Sequence, residues 1–158
     1  MEIHVDGWSA NIRFSSAHFI PKLGKCSRIH GHDYGVKIRL HGEKVKGILI
    51  DFTDLKKAMR DAISELDHKL LIPGNSSEAV YKVENGEVEV RYEDKRIVAV
   101  ERDVHVCDVE VTSSEELSYY VGRKIAMNLG SRPNLTAMEV SIEEGPGQGS
   151  FVEIDLNE

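Results

Sequence analysis

The sequence predicts an α+β fold: an antiparallel four-stranded sheet with two helices on one face, plus an inserted β-hairpin. Three observations carry this. Val36, Ile38 and Leu40 alternate with Lys37, Arg39 and His41, the two-residue period of a half-buried strand. Met138, Val140 and Ile142, then Val152, Ile154 and Leu156, repeat that period near the C-terminus. Two other segments carry apolar residues at helical spacing instead. The resulting order, strand, strand, helix, hairpin, helix, strand, strand, suits an antiparallel sheet with one helix-covered face.

Taken in order, residues 8–20 and 34–41 read as the first strands. Asp51 or Thr53 caps a helix whose apolar stripe is Leu55, Ala58, Met59, Ala62, Ile63 and Leu66, with Asp67-His68 closing it and Pro73-Gly74 ending the segment. Between residues 75 and 107, Val88–Tyr92 and Arg96–Val100 alternate on either side of Glu93-Asp94-Lys95, a hairpin or small added sheet. Ser113-Ser114-Glu115-Glu116 matches a capping box, and Leu117, Tyr120, Val121 and Ile125 continue that helix to Gly130, with Pro133 beyond. The turn Gly145-Pro146-Gly147-Gln148-Gly149 joins the closing strands. At 158 residues the chain is expected to be a single domain, 1–158, with an insertion at about 75–107.

A formal charge of −7 argues against nucleic-acid or anionic-membrane binding, which rely on excess Lys and Arg. An anionic small molecule is compatible, because Lys22, Lys25, Arg28, Lys37 and Arg39 cluster in sequence around the histidines; for Lys37 and Arg39 a solvated strand face is the simpler reading. No apolar run approaches the roughly 20 residues that span a bilayer. No secretory signal is visible, so a cytoplasmic protein with reduced thiols at Cys26 and Cys107 is expected.

His18, His30 and His32 are the strongest chemical signal. Residues two apart on a strand share a face, so His30 and His32 can reach one ion if His18 approaches from a partner strand. Three imidazoles leave a dication one open position, as in catalytic zinc sites. Gly31 between them is expected to let the backbone come close to metal or substrate. Cys26 lies near enough to sit beside the cation, which with Lys25 would favour thiolate over thiol and ready it to take a proton. Cys107 reads as a small buried hydrophobe. In Asp67-His68 a carboxylate can fix the imidazole tautomer for proton transfer. Glu144 can accept paired bonds from a planar N–C–N donor edge such as that of a pterin or guanine, and Ser113 and Glu115 can help hold a ring, although a helix cap already explains them.

Together these phrases resemble the 6-pyruvoyl-tetrahydropterin synthase and 6-carboxy-tetrahydropterin synthase family. The matches are Phe14-Ser-Ser-Ala-His18, Cys26-Ser-Arg-Ile-His30-Gly-His32-Asp-Tyr34, Gly47-Ile-Leu-Ile-Asp51-Phe52, Leu66-Asp67-His68 and Val140-Ser-Ile-Glu-Glu144. The resemblance implies the tunnelling fold, with subunit sheets joined into barrels and two trimers stacked as a homohexamer. It further implies Zn2+ at His18, His30 and His32, Cys26 with Asp67 and His68 as catalytic groups, and Glu144, with Ser113 and Glu115, holding the pterin.

The short Cys-x-x-x-His-Gly-His spacing resembles the 6-carboxy branch. The implied activity is a lyase converting 7,8-dihydroneopterin triphosphate with loss of acetaldehyde and triphosphate, toward 7-deazaguanine (queuosine or archaeosine) transfer-RNA bases. The pyruvoyl synthase is the alternative within the family. Outside it stand a non-catalytic zinc module with Cys26 as fourth ligand, and a metal-assisted hydrolase, for which the central motif offers no separate water-activating carboxylate.

Overall fold

The computed structural model describes residues 1–157. β1 (Glu2–Asp6) runs into one helical turn, α1 (Gly7–Ala10), and then β2 (Arg13–His18). Both strands pair antiparallel with the same side of the long β3 (His30–Gly42), Asp6 opposite Lys37 and Arg13 opposite Gly35. Of the strand predicted over 8–20 only Arg13–His18 is strand; the first predicted residues lie in the helical turn, and β1, before them, is not among the predicted strands. The Asp6 carboxylate causes the break by accepting from the Trp8 N–H at 2.9 Å, a local bond that competes with sheet pairing.

α2 (Phe52–Ile63) is capped by Asp51, which accepts from Thr53 N–H at 2.7 Å. Asp67-His68 does not close this helix; it lies in the turn beyond, His68 at φ 60°, and leads into β4 (Lys69–Pro73). After an added segment come β8 (Val104–Cys107), α3 (Ser114–Leu129), β9 (Leu135–Glu143) and β10 (Gly149–Asp155). α3 packs on β9 and β10, and α2 packs on α3. Ser113 caps α3, accepting from Glu116 N–H at 3.3 Å, and Gly130 ends it.

The main sheet has seven strands, ordered β10-β9-β3-β2-β4-β8 with β1 also on β3, where the sequence pattern predicts four. It is also mixed, because β4 runs parallel to both β2 and β8. Leu70-Leu71-Ile72 shows no alternation because β4 is covered on both faces. Leu71 and Cys107 face the main core under α2 and α3, while Ile72, with Leu70, Val104 and Val106, faces a second apolar cluster.

That second cluster is formed by the added segment. β5 (Ala79–Glu84), β6 (Glu87–Tyr92) and β7 (Lys95–Val100) make a separate antiparallel sheet of three strands rather than a hairpin. Val88, Val90 and Tyr92 of its inner face pack with Phe19 and Ile72. Among the described residues no helix is long and apolar enough to cross a membrane.

Candidate metal centre

On β3 the even-numbered residues face the helices: Val36, Ile38 and Leu40 are fully buried in the core. Continued toward the strand's start, the same stripe reads Tyr34, His32, His30. β2 supplies the matching column, with Phe14 opposite Tyr34, Ser16 opposite His32 and His18 opposite His30. Phe14 and Tyr34 stack at 4.8 Å, so the last apolar layer of the core forms the floor beneath the histidines.

The ligand nitrogens of His18, His30 and His32 all lie within 4.8 Å of one another, and His18 Nε2 is 3.0 Å from His30 Nε2. Two backbone carbonyls fix the ring orientations: His18 Nδ1–H donates to Thr112 at 2.7 Å, and His30 Nδ1–H donates to Arg28 at 2.7 Å. A ring that donates from Nδ1 presents the lone pair of Nε2, the tautomer a metal requires. His32 Nε2 is buried with no hydrogen-bond partner in the protein, a costly state for a polar atom unless something binds it.

Burial pushes the His18 pKa down to about 4, against the Thr112 bond and with help from His30 and His32. Burial also lowers that of His32, joined by His30 and opposed by Glu144. Both rings are therefore poised neutral. Nitrogens of a tetrahedral zinc site, each at about 2.0–2.1 Å from the ion, stand about 3.3 Å apart. These three residues fit a zinc ion.

The histidines line a cavity of about 420 Å3 with Cys26, Ser113, Ser114, Glu115 and Glu144, within the range of small-molecule sites. Cys26, exposed on a 3-10 turn over Gly24–Ser27, lies outside the cluster of mutually close ligand atoms. That placement disfavours the closed module in which sulfur is the fourth ligand. Glu144, two residues past Ile142 and on the same side, brings its oxygens to 3.8 Å from His18 Nε2 and 3.7 Å from His32 Nε2, too far for a hydrogen bond. The adjacent Glu143 faces the other way. It is buried and accepts from Trp8 Nε1–H at 2.6 Å, with Lys37 Nζ at 3.1 Å. Of the two acids only Glu144 is free for a ligand. Gly145 at φ 112° and Gly147 at φ 82° make the tight turn that follows it.

Not every predicted residue reaches this cavity. His68 is exposed, and with Ser15 and Asp33 it lines a separate shallow depression that shares only His32 with the cavity. Asp67 orients it, Oδ2 lying 2.9 Å from His68 Nδ1 while Oδ1 accepts from Ser15 N–H at 2.9 Å. Gly31 serves a different purpose from the expected one: a Cβ there would stand 3.1 Å from the Ser16 carbonyl, so it admits the neighbouring strand rather than a metal. Lys37 and Arg39 pair with Glu143 and Glu139, away from the cavity. Cys107 is fully buried, its thiol pushed up to about 12 by burial. The sequence reading missed the carbonyls of Thr112 and Arg28, since a backbone acceptor leaves no residue-type signal.

Comparison with known proteins agrees with this geometry. Residues 8–155 match the family described as 6-pyruvoyl tetrahydropterin synthase. A Methanocaldococcus jannaschii protein provisionally named 6-carboxy-5,6,7,8-tetrahydropterin synthase is 36% identical over 155 residues, covering 95% of this chain and 94% of its own. The 6-carboxy-5,6,7,8-tetrahydropterin synthase of Bacillus subtilis is 42% identical over 65 residues, 39% of this chain and 42% of its own. Among solved structures, the 6-pyruvoyl tetrahydropterin synthase of Plasmodium vivax superposes with a TM-score of 0.90 at 28% identity, over 98% of both chains. The chain therefore belongs to the 6-pyruvoyl tetrahydropterin synthase family.

Proposed function

We propose that this chain is a zinc-dependent 6-carboxy-5,6,7,8-tetrahydropterin synthase, a carbon–carbon lyase acting on 7,8-dihydroneopterin triphosphate with loss of acetaldehyde and triphosphate. One observation carries this reading: three imidazoles with converging Nε2 atoms share a cavity with an unligated thiol and a free carboxylate. The names of the relatives from M. jannaschii and B. subtilis support the carboxy product.

His18, His30 and His32 would hold the ion, which when bound supplies Lewis-acid stabilisation of negative charge developing on the substrate's side-chain oxygens. The Glu144 carboxylate accepts the ring N–H and exocyclic amine of the pterin, setting the side chain toward the histidines. Ser113 and Glu115, at the start of α3, bound the same cavity and flank the ring. Cys26 takes a proton from the substrate's side-chain carbon, triphosphate leaves with the electrons of its carbon–oxygen bond, and water then adds at the carbon next to the ring as the carbon–carbon bond breaks to release acetaldehyde.

His68, oriented by Asp67, moves a proton on the opposite side. Since it lies outside the cavity of its own chain, it acts in a neighbouring subunit of a homohexamer built as a dimer of trimers by joined sheets. Residues 1–158 work as one synthase domain carrying an insertion at about 75–107. The product feeds 7-deazaguanine base synthesis in the cytoplasm; neither nucleic acid nor a membrane is a partner.

The test is to incubate zinc-loaded protein with 7,8-dihydroneopterin triphosphate and identify the products. Acetaldehyde with the 6-carboxy pterin is expected. Triphosphate loss without loss of carbon assigns the pyruvoyl activity instead, and no turnover overturns the enzymatic reading.

A further inference from the structure

Tyr92 ends β6 and Lys95 opens β7, opposite each other across a two-residue turn, so both side chains leave the same face of the added sheet. That face meets the segment linking His18 to His30. Tyr92 Oη–H donates to the Ser27 carbonyl at 2.6 Å, and Lys95 Nζ donates to the same carbonyl and to Ser27 Oγ, both at 3.1 Å. The Tyr92 ring stacks on Phe19 at 4.1 Å and 8°, with the Lys95 ammonium 4.8 Å from its centroid.

The positions gripped matter. Phe19 follows His18, Ser27 follows Cys26, and the next carbonyl, that of Arg28, accepts the His30 Nδ1–H. The backbone bonds of the Cys26 turn are local, from Cys26 N–H to Leu23 and from Ile20 N–H to Cys26, so they shape the turn without fixing it to the sheet. A carbonyl accepting from a hydroxyl and an ammonium together is anchored strongly, because the charged donor roughly doubles the strength of its bond.

We propose that Tyr92 and Lys95 are positioning residues, and that their shared grip on the Ser27 carbonyl sets where the Cys26 thiol stands beside the three imidazoles. The added sheet is thereby part of the site's support. In its activity readout the inference rests on Cys26 being the proton-transfer group; its chemical readout does not. Displacing a reacting group by about 1 Å can cost about 100-fold in rate.

The experiment uses full-length, zinc-loaded protein carrying Tyr92→Phe, Lys95→Met, or both. Tyr92→Phe keeps the stack on Phe19 and removes only the donor. Four quantities are read: bound zinc, thermal midpoint, the alkylation rate of Cys26 by iodoacetamide, and kcat and KM with 7,8-dihydroneopterin triphosphate. Cys107 is fully buried, so alkylation of the folded protein reports Cys26.

The double variant is expected to keep its zinc and its fold. With the anchor removed, the alkylation rate of the thiol changes at least about threefold while kcat falls at least about tenfold and KM changes little. Lys95→Arg, which retains a cationic donor, restores most of both values. An unchanged alkylation rate in the folded variants overturns the inference, as does a kcat that falls only in proportion to lost zinc. Should the double variant fail to fold, Tyr92→Phe alone decides, with an alkylation rate changed about twofold expected and no change contradicting it. If the parent protein shows no turnover, the proposed function fails while the alkylation result still decides the positioning role.

Discussion

A neutral imidazole binds a cation and a protonated one does not, and His18 is kept neutral by burial among the core residues while Thr112 holds its Nδ1–H. At this scale much was readable. The i, i+2 spacing of His30 and His32 places both on the core face of β3, and His18 stands opposite His30 as the two-strand reading requires. The unreadable part is backbone: Thr112 and Arg28 act through carbonyls that any residue would offer. Replacing His32 by Ala is expected to weaken zinc binding by more than about 100-fold, beyond the loss caused by changing a residue that only orients a ligand; a competitive chelator titration measures it. Cys26→Ala, by contrast, should abolish turnover and leave zinc content at one per chain. A Cys26→Ala protein with full activity would remove the thiol from the mechanism.

Elements follow the sequence where one face is buried and depart from it where both are. α2 and α3 and the strands β3, β9 and β10 announce themselves by period, and Asp51 and Ser113 by capping. β4 and β8 do not, because the added sheet covers the face that would otherwise carry polar residues. Asp51→Ala removes one capping bond and should lower stability by about 1 kcal/mol, read by urea denaturation. His105 of β8 gives the sheet edge a pH dependence. Burial first, then the charges of Lys124 and Lys69, hold its imidazole below the ordinary value, while Glu65 opposes them. Below about pH 6.5 the unfolded chain thus takes up a proton that the folded one resists, and stability falls as pH falls. His105→Gln should flatten that part of the urea-midpoint profile; a variant with the parental slope would assign it to other groups.

For the whole molecule, the divided placement of Cys26 and His68 is the feature with the largest consequence. The sequence brings both into one family pattern, yet within a single chain they face different depressions. Spacing along the chain cannot reveal this separation, which arises because Asp67-His68 sits on the turn entering β4 while Cys26 hangs from the far end of β2. If neighbouring subunits complete each other's sites, co-expressing inactive Cys26→Ala and inactive His68→Ala chains should restore about a quarter of the parental activity, the share of sites receiving both intact groups at random assembly. No recovery in mixed oligomers would place both groups in one chain's site. The ion and its three imidazole ligands underlie every step, and X-ray absorption at the zinc edge on the resting protein tests them most directly. Nitrogen or oxygen donors alone, near about 2.0–2.1 Å, are predicted, and a sulfur shell at about 2.3 Å would contradict the account by making Cys26 a ligand.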